Sequence, residues 1–234
     1  IAMWDEVFSD MNPKTKKALE NNNGRAAFEW MHDDLGQCWK ACYRVLQDGG
    51  IICINIGDAT RSMNGEFALY PNHAAIVFKL QRLGFTILPD ILWRKPSNAP
   101  NKYMGSGMLP GGAYVTYEHE YIIIARKGGK RVFKTEEEKR NRRQSAYFWE
   151  ERNIWFSDLW KGLTGTKQDL KTTEARERSA AFPFELPNRL ILMYSVYGDT
   201  ILDPFLGTGT TAGAAMLNGR NSIGIEKSAV LAKE

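Results

Sequence analysis

The chain has 234 residues and a mass of 26.5 kDa, enough to bury a core without disulfides or a structural metal. Its 43% hydrophobic and 25% charged residues exclude a mainly disordered chain, and no apolar run reaches the roughly 18 to 20 residues that a membrane helix needs. The net charge is only +4, and three cysteines without a CxxC pair indicate a reducing compartment rather than a disulfide framework or a zinc site.

The first half of the chain alternates helix and strand patterns. Apolar residues recur every three or four positions from Ala27 to Leu46, and Gly49-Gly50 follow, which predicts an amphipathic helix that ends there. The next run, Ile51–Ile56, is almost wholly apolar, as expected for a parallel strand covered on both faces. The same order of helix and then strand returns at His73–Leu83 and Phe85–Trp93.

The second half repeats the alternation after a loop rich in Gly, Pro and Asn at Lys95–Gly112. Its predicted elements are a strand at Tyr121–Ala125, a strand at Thr200–Asp203, a turn at Pro204–Gly209, a helix at Thr210–Leu217 and a strand at Ser222–Glu226. This alternation predicts an α/β fold with a doubly wound, mostly parallel sheet.

The positive charge is concentrated between Lys127 and Arg178. This segment holds 14 Lys and Arg against 9 Asp and Glu, and it is also rich in Phe, Tyr and Trp. Such a composition can neutralise phosphates and stack on bases, although a basic run is more often a solvated surface. Composition alone therefore leaves a nucleic-acid surface and an ordinary surface both open.

The strongest local signal is the nine-residue run from Asp203 to Thr211, between a predicted strand and a predicted helix. Gly207 and Gly209 allow a tight turn and let a ligand approach main-chain N–H groups. Glu226 follows at the end of the next strand, where an acid can accept both ribose hydroxyls of an adenosine. The pattern predicts a nucleoside site with a carboxylate at each strand end.

The glycine spacing also satisfies the relaxed dinucleotide fingerprint, so a nicotinamide oxidoreductase is an alternative. Asp203 at the strand end argues against it, because a carboxylate there repels a pyrophosphate and attracts an ammonium group. Pro204 and Phe205 fit packing against an adenosine better than cradling of a diphosphate. Only eight residues follow Glu226, so the other strands come from earlier in the chain, and the order predicts a circular permutation with the cofactor half last.

Together with the preceding segment Phe182–Ile191, the Asp203–Thr211 run resembles the C-terminal half of the permuted DNA methyltransferases that act on exocyclic amino groups. These are the cytosine-N4 and adenine-N6 enzymes of restriction–modification systems. The resemblance implies a catalytic half at 1–127, a DNA target-recognition insertion at 128–180 and a cofactor-binding half at 181–234. It implies double-stranded DNA as partner, a prokaryotic cytoplasm as location and no metal, and it allows a homodimer.

The resemblance also implies S-adenosylmethionine as cofactor. By analogy with the family, Phe182, Pro183 and Phe184 would flank this molecule, Asp203 would hold its amino-acid end and Glu226 its ribose. The remaining cofactor-binding positions implied by the family or the turn are Pro204, Phe205, Gly207, Gly209 and Thr210.

The chain departs from the family in one respect. The catalytic tetrapeptide, an Asp, Asn or Ser followed by Pro-Pro and an aromatic residue, is absent, because no two prolines are adjacent. In the family this tetrapeptide precedes a segment like Ile1–Asp5, so we expect it immediately upstream of Ile1. If it is absent from the gene, the chain is instead a catalytically incomplete module that binds cofactor and DNA.

Several polar residues are candidates for contact with the target base or DNA, because they follow predicted strands or lie in the basic segment. The candidates are Asn55, Asp58, Lys95, Asn98, Arg142 and Arg143. The reaction in the family requires the base to leave the duplex and its amino nitrogen to be placed in line with the sulfonium methyl group. The run from Met3 onward most resembles the cytosine-N4 subgroup, which favours cytosine N4 over adenine N6.

Overall fold

The computed structural model describes residues 8–63, 65–95, 109–112, 114–164, 182–229 and 231–233. Its helices are α1 (Ser9–Met11), α2 (Pro13–Glu20), α3 (Gly24–Val45), α4 (Asn72–Arg82), α5 (Glu136–Gln144), α6 (Trp149–Trp155), α7 (Glu185–Tyr194) and α8 (Thr210–Leu217). Its strands are β1 (Ile51–Ile56), β2 (Ala59–Met63), β3 (Glu66–Tyr70), β4 (Phe85–Ile87), β5 (Ile91–Arg94), β6 (His119–Lys127), β7 (Leu159–Trp160), β8 (Thr200–Asp203) and β9 (Asn221–Gly224). A short 3-10 helix spans Leu231–Lys233.

A five-stranded sheet forms the centre, in the order β1-β6-β5-β7, with β4 beside β6 on the same side as β5. Strand β6 is central because Ile122–Ala125 are almost wholly buried apolar residues. The strands β1, β4 and β5 all run antiparallel to β6, and only β5 and β7 pair in parallel. The prediction of a mostly parallel sheet is therefore wrong for this sheet, since apolar runs identify buried strands but not their direction.

Helices cover both faces of this sheet, as the sequence predicted. Side chains of α3 and α4, including Trp39, Ile76 and Leu80, pack on the face that carries Ile54 and Ile123. The opposite face is covered by α6 and α7 in a second cluster, whose members include Trp93, Ile122, Trp155, Trp160, Leu163 and Leu186. Burial of each large apolar side chain contributes about 1.5 to 3 kcal/mol, so these two clusters hold the three layers together.

The parallel pair β8–β9 forms a separate two-stranded sheet, in the register Asp203↔Gly224. Among the described strands, neither β8 nor β9 is hydrogen-bonded to the five-stranded sheet, although the sequence predicted one continuous sheet. Arg131 joins the two sheets at their starting ends. Its guanidinium binds Asp199, just before β8, through both carboxylate oxygens at 2.5 and 2.9 Å, and its backbone adjoins Gly49, just before β1.

Because β1 and β8 start together, both end at the opposite side of the molecule, which we call the carboxyl side; β5 ends there too. The side at which β1 and β8 start is the amino side. At the carboxyl side Phe205, two residues after β8, meets Trp39 of α3 with ring centroids 5.9 Å apart. The ends of strands in both sheets can therefore contribute to one site.

The segment at 128–164 is not a separate body. Helix α6 and strand β7 belong to the core, with Trp155 and Trp160 buried. Helix α5 docks at the amino side, where the Ser145 hydroxyl accepts a hydrogen bond from the Tyr197 main-chain N–H at 2.9 Å. Among the described residues, no helix is both long and apolar enough to cross a membrane.

Candidate active site

The turn after β8 is built around two glycines in the left-handed region. Gly207 has φ 57° and Gly209, the residue that caps the N-terminus of α8, has φ 87°. A Cβ added at either position would meet nothing within 4 Å. The backbone conformation therefore requires these glycines, and the space beside them is open to a ligand.

Two carboxylates hold this turn from the ends of the neighbouring strands. Asp203 accepts a hydrogen bond from the Phe205 N–H at 2.9 Å. Glu226 accepts one from the Gly207 N–H at 2.8 Å and one from the Ser228 N–H at 2.7 Å. The structure thus brings Asp203 and Glu226 to the same turn, as the sequence predicted.

The carboxylates retain capacity for a ligand. A carboxylate has about four lone-pair sites, and the described contacts use one on Asp203 and two on Glu226. Phe205 beside them is 53% exposed and offers a ring face at the edge of the turn. The site can thus accept hydroxyl or ammonium donors next to an apolar surface.

The Phe182–Phe184 segment lies just before α7. Pro183 is buried, Phe182 packs against the core cluster that contains Leu186, and Phe184 is 41% exposed. Helix α7 in turn packs on α8 through Ile191. No described contact joins Phe182–Phe184 to the Asp203 turn, so their role beside a cofactor stays a prediction.

Two of the candidate DNA residues lie at the carboxyl side. The half-buried Asn55 amide donates to the Tyr121 carbonyl oxygen at 3.3 Å. The Lys95 ammonium binds Glu120 at 2.6 Å and lies 4.8 Å from the centroid of the Trp93 ring. Asn98 lies outside the described residues.

Asp58 differs from the expectation, because its side chain is only 1% exposed. It accepts hydrogen bonds from the His73 N–H at 2.9 Å and from His73 Nδ1 at 2.7 Å, so it caps the start of α4. The carboxylate is enclosed, and this position argues against direct contact with a base.

Arg142 and Arg143 also lie away from the expected place. Both are exposed on α5 at the amino side, and the Arg142 guanidinium lies 5.0 Å from the centroid of the Phe133 ring. The six residues of β1 separate the two sides by roughly 20 Å. This placement argues against contact between either arginine and a base held at the carboxyl side.

A row of aromatic rings along the carboxyl side was not foreseen. His73 stacks on Tyr121 at 3.8 Å, Tyr121 meets His119 edge to face at 5.0 Å, and His119 meets Tyr117 at 4.5 Å. Burial raises the pKa of the Tyr117 hydroxyl, and the charge of Asp58 raises it further. Tyr117, His119 and Tyr121 alternate along the chain as it enters β6, but no local motif marks the stack, because His73 comes from α4.

The fold is of the α/β class, and two carboxylates at strand ends hold a glycine turn beside open space. Comparison with known proteins identifies the family. Residues 7–233 match the DNA methylase family of N6 and N4 methyltransferases. The chain is 55% identical over 227 residues to the Type II methyltransferase M.MthZI of Methanothermobacter thermautotrophicus, covering 97% of this chain and 64% of that protein. It is 49% identical over 237 residues to the Type II methyltransferase M.MjaI of Methanocaldococcus jannaschii, covering 97% and 77%.

Comparison with solved structures also finds DNA methylases. A candidate DNA modification methylase of Thermus thermophilus, solved in complex with S-adenosyl-L-methionine, is 32% identical, with a TM-score of 0.70, and the match covers 88% of this chain and 74% of that one. PvuII DNA methyltransferase, which is cytosine-N4-specific, shares the fold at 17% identity, with a TM-score of 0.64 and coverage of 86% and 68%. The chain belongs to the N6 and N4 DNA methylase family, and it spans about two thirds of the length of M.MthZI.

Proposed function

We propose that the chain carries the cofactor site and much of the catalytic domain of a DNA methyltransferase. This enzyme transfers a methyl group from S-adenosylmethionine to an exocyclic amino group of a base in double-stranded DNA. The observation that carries the proposal is the pair Asp203 and Glu226, which both bind the glycine turn between β8 and α8. Membership of the methylase family and the S-adenosylmethionine complex of the Thermus protein support it.

The donor and acceptor chemistry of the turn fits this cofactor. Asp203 would attract the ammonium group of the methionine moiety, and Glu226 would accept hydrogen bonds from the ribose hydroxyls. Phe205 would pack against the adenine, and the open space beside Gly207 and Gly209 would admit the molecule to main-chain N–H groups. Pro204, Thr210 and Phe182–Phe184 complete the proposed set.

When bound, S-adenosylmethionine supplies an activated methyl group on a positive sulfur. The protein's task is then to hold an extruded base so that its amino nitrogen lies in line with that methyl group, and to exclude water. Asn55 and Lys95 at the carboxyl side are the described polar residues that we propose near the base. Asn98, outside the described residues, stays a prediction for the same role.

We propose cytosine N4 in preference to adenine N6 as the methylated atom, because the run from Met3 resembles the cytosine-N4 subgroup. The proposed division of the chain is 1–127, 128–180 and 181–234, with the cofactor half last. The packing of α6 and β7 in the core leaves a DNA-recognition role to only part of the middle segment. A homodimer stays a prediction, which sedimentation of the purified protein would check.

The proposal is tested with the product of the complete open reading frame that contains this chain, incubated with duplex DNA and cofactor labelled in its methyl group. We expect label in the DNA. Cofactor binding without transfer to any DNA would contradict the proposal and favour a module that only binds. The codons before Ile1 test whether the catalytic tetrapeptide stands where the family places it.

A further inference from the structure

A projection at the carboxyl side consists of α1, α2, the first half of α3 and the hairpin β2–β3, none of whose residues has yet been given an individual role. Helix α3 has 22 residues and is roughly 33 Å long, whereas β1 spans roughly 20 Å. Since α3 ends beside the start of β1, where Lys127 Nζ donates to the Leu46 carbonyl oxygen, its first half extends beyond the carboxyl side.

The projection has its own small core. Phe8, Ala18, Ala27 and Met31 are buried together, and Met63 and Tyr70 of the hairpin pack against them. The rings of Tyr70 and Phe28 lie 5.7 Å apart. The hairpin is therefore seated on α2 and α3 rather than extended into solvent by itself.

The two ends of the hairpin are clamped together, where the chain leaves the end of β1 and where it enters α4. The chain departs after Asp58 and returns at Asn72 and His73. Asp58 binds His73 as described above, the Asn72 side chain donates to the Gly57 carbonyl oxygen at 2.9 Å, and Asn72 Oδ1 lies 3.0 Å from His32 Nε2. This clamp fixes the direction of the hairpin relative to the end of β1.

A groove of about 450 Å³ lies between α2 and the hairpin, and its lining includes the apolar side chains of Leu19 and Met63. Two cationic side chains, Lys16 and Arg61, line it from opposite walls, and Asn22 and Ser62 add polar groups. Glu20 also lines the groove and offsets part of the charge. Helix α2 itself carries three lysines, Lys14, Lys16 and Lys17, against this one acid.

We propose that this projection is one wall of the DNA cleft, and that Lys16 and Arg61 bind backbone phosphates of the duplex beside the target base. The inference rests on the proposed function and names the surface that holds its substrate. Position and charge carry it: the projection starts where β1 ends, on the side of the glycine turn, whereas the arginines of α5 lie at the opposite side. Phosphate contacts of this kind position a protein on DNA without reading its sequence.

The test measures binding of the complete open-reading-frame product to a fluorescent duplex of mixed sequence, about three helical turns long, at several salt concentrations. The variants are Lys16→Glu alone and Lys16→Glu with Arg61→Glu. The matched control reverses two exposed cations near the other end of α3, Lys40→Glu with Arg44→Glu. Circular dichroism melting and calorimetric binding of S-adenosylmethionine confirm that each variant is folded.

We expect the double variant to raise the Kd for DNA about 10-fold or more, and the control to change it less than about twofold. The slope of log K against log salt should become shallower by about 1.8, because each lost phosphate contact removes about 0.9. The single variant should show about half of the change in log Kd and about half of the change in salt slope.

An unchanged Kd in folded variants, or an equal loss in the control, would overturn the projection as a DNA wall while leaving methyl transfer by the wild type intact. A wild type that neither binds nor methylates DNA would overturn the proposed function, and this inference with it.

Discussion

Glu226 is a carboxylate that organises the candidate cofactor site before any ligand arrives. It accepts main-chain N–H groups from Gly207 and Ser228. The substitution Glu226→Gln replaces one carboxylate oxygen by an NH₂ group and removes the negative charge. The NH₂ group is a donor and would then face one of these main-chain N–H donors. We expect the Kd for S-adenosylmethionine to rise about 10-fold or more by calorimetry.

The control for this variant is Glu150→Gln, at an exposed position in the first turn of α6. It should bind the cofactor as the wild type does. Equal affinity in Glu226→Gln and the wild type would remove Glu226 from the site.

The buried Asp58 pairs with the partly buried His73, and loss of this pair should lower stability. The substitution Asp58→Ala removes two hydrogen bonds at 2.7 and 2.9 Å and leaves the start of α4 uncapped. We expect the free energy of unfolding in urea to fall by about 2 to 3 kcal/mol. Asp33→Ala, which breaks an exposed contact with Lys79 at 3.4 Å, should cost less than about 1 kcal/mol.

His32 should make stability depend on pH. Its burial lowers the pKa of the imidazole from 6.5, with a partly opposing hydrogen bond to Asn72. As pH falls below about 6.5, the unfolded chain takes up a proton on this ring before the folded chain does, so the free energy of unfolding decreases.

The variant His32→Gln should lose this component. Urea unfolding at neutral pH and at a pH about two units lower should give a smaller difference for the variant than for the wild type. An equal or larger difference would show that His32 is not the source.

Sequence reasoning was strongest for residues whose role follows from their neighbours in the chain. Asp203, Gly207 and Gly209 belong to one local motif, and Glu226 ends the next strand. The burial of Asp58 was not predictable, because its partner, His73, is 15 residues away and the pairing depends on where α4 starts. The position of Arg142 at the amino side was not predictable, because charge in the sequence does not tell which side of a sheet a helix docks on.

At the scale of elements, the start of β1 depends on Gly49. Its φ is +79°, and an added Cβ would lie 2.5 Å from the backbone of Arg131. Strain and overlap together should cost Gly49→Ala about 2 to 4 kcal/mol in thermal or urea unfolding. Gly128→Ala has a similar φ of +64° but no close contact, and should cost about 1 kcal/mol. Equal losses would mean that the close approach to Arg131 is not important.

The bounds of strands such as β1 and β8 were predicted to the residue, because glycine or aspartate at the ends of a short apolar run marks where the strand can begin and end. The predicted strand from Phe85 to Trp93 is instead two strands, since Pro89 lies in the break between β4 and β5. The hairpin β2–β3 was not predicted, although the sequence has Asn-Gly at positions 64 and 65, a pair that is common between hairpin strands.

At the scale of the whole molecule, the two sheets are held together by side chains and helices. Arg131 bridges to Asp199 at the amino side, Trp39 meets Phe205 at the carboxyl side, and α7 packs both on the central sheet and on α8. The helices on both faces were predictable from alternation of patterns. The strand directions and the separation of β8–β9 were not, because they depend on pairings between distant segments.

The central claim is that the Asp203 turn holds S-adenosylmethionine for transfer to an exocyclic amino group of DNA. Mass spectrometry of nucleosides from duplex DNA treated with cofactor and the complete open-reading-frame product tests it most directly. The account predicts N4-methylcytosine, or N6-methyladenine if the other amino group is the target, and neither product from Asp203→Ala. No methylated nucleoside from the wild type, or 5-methylcytosine in their place, would contradict it.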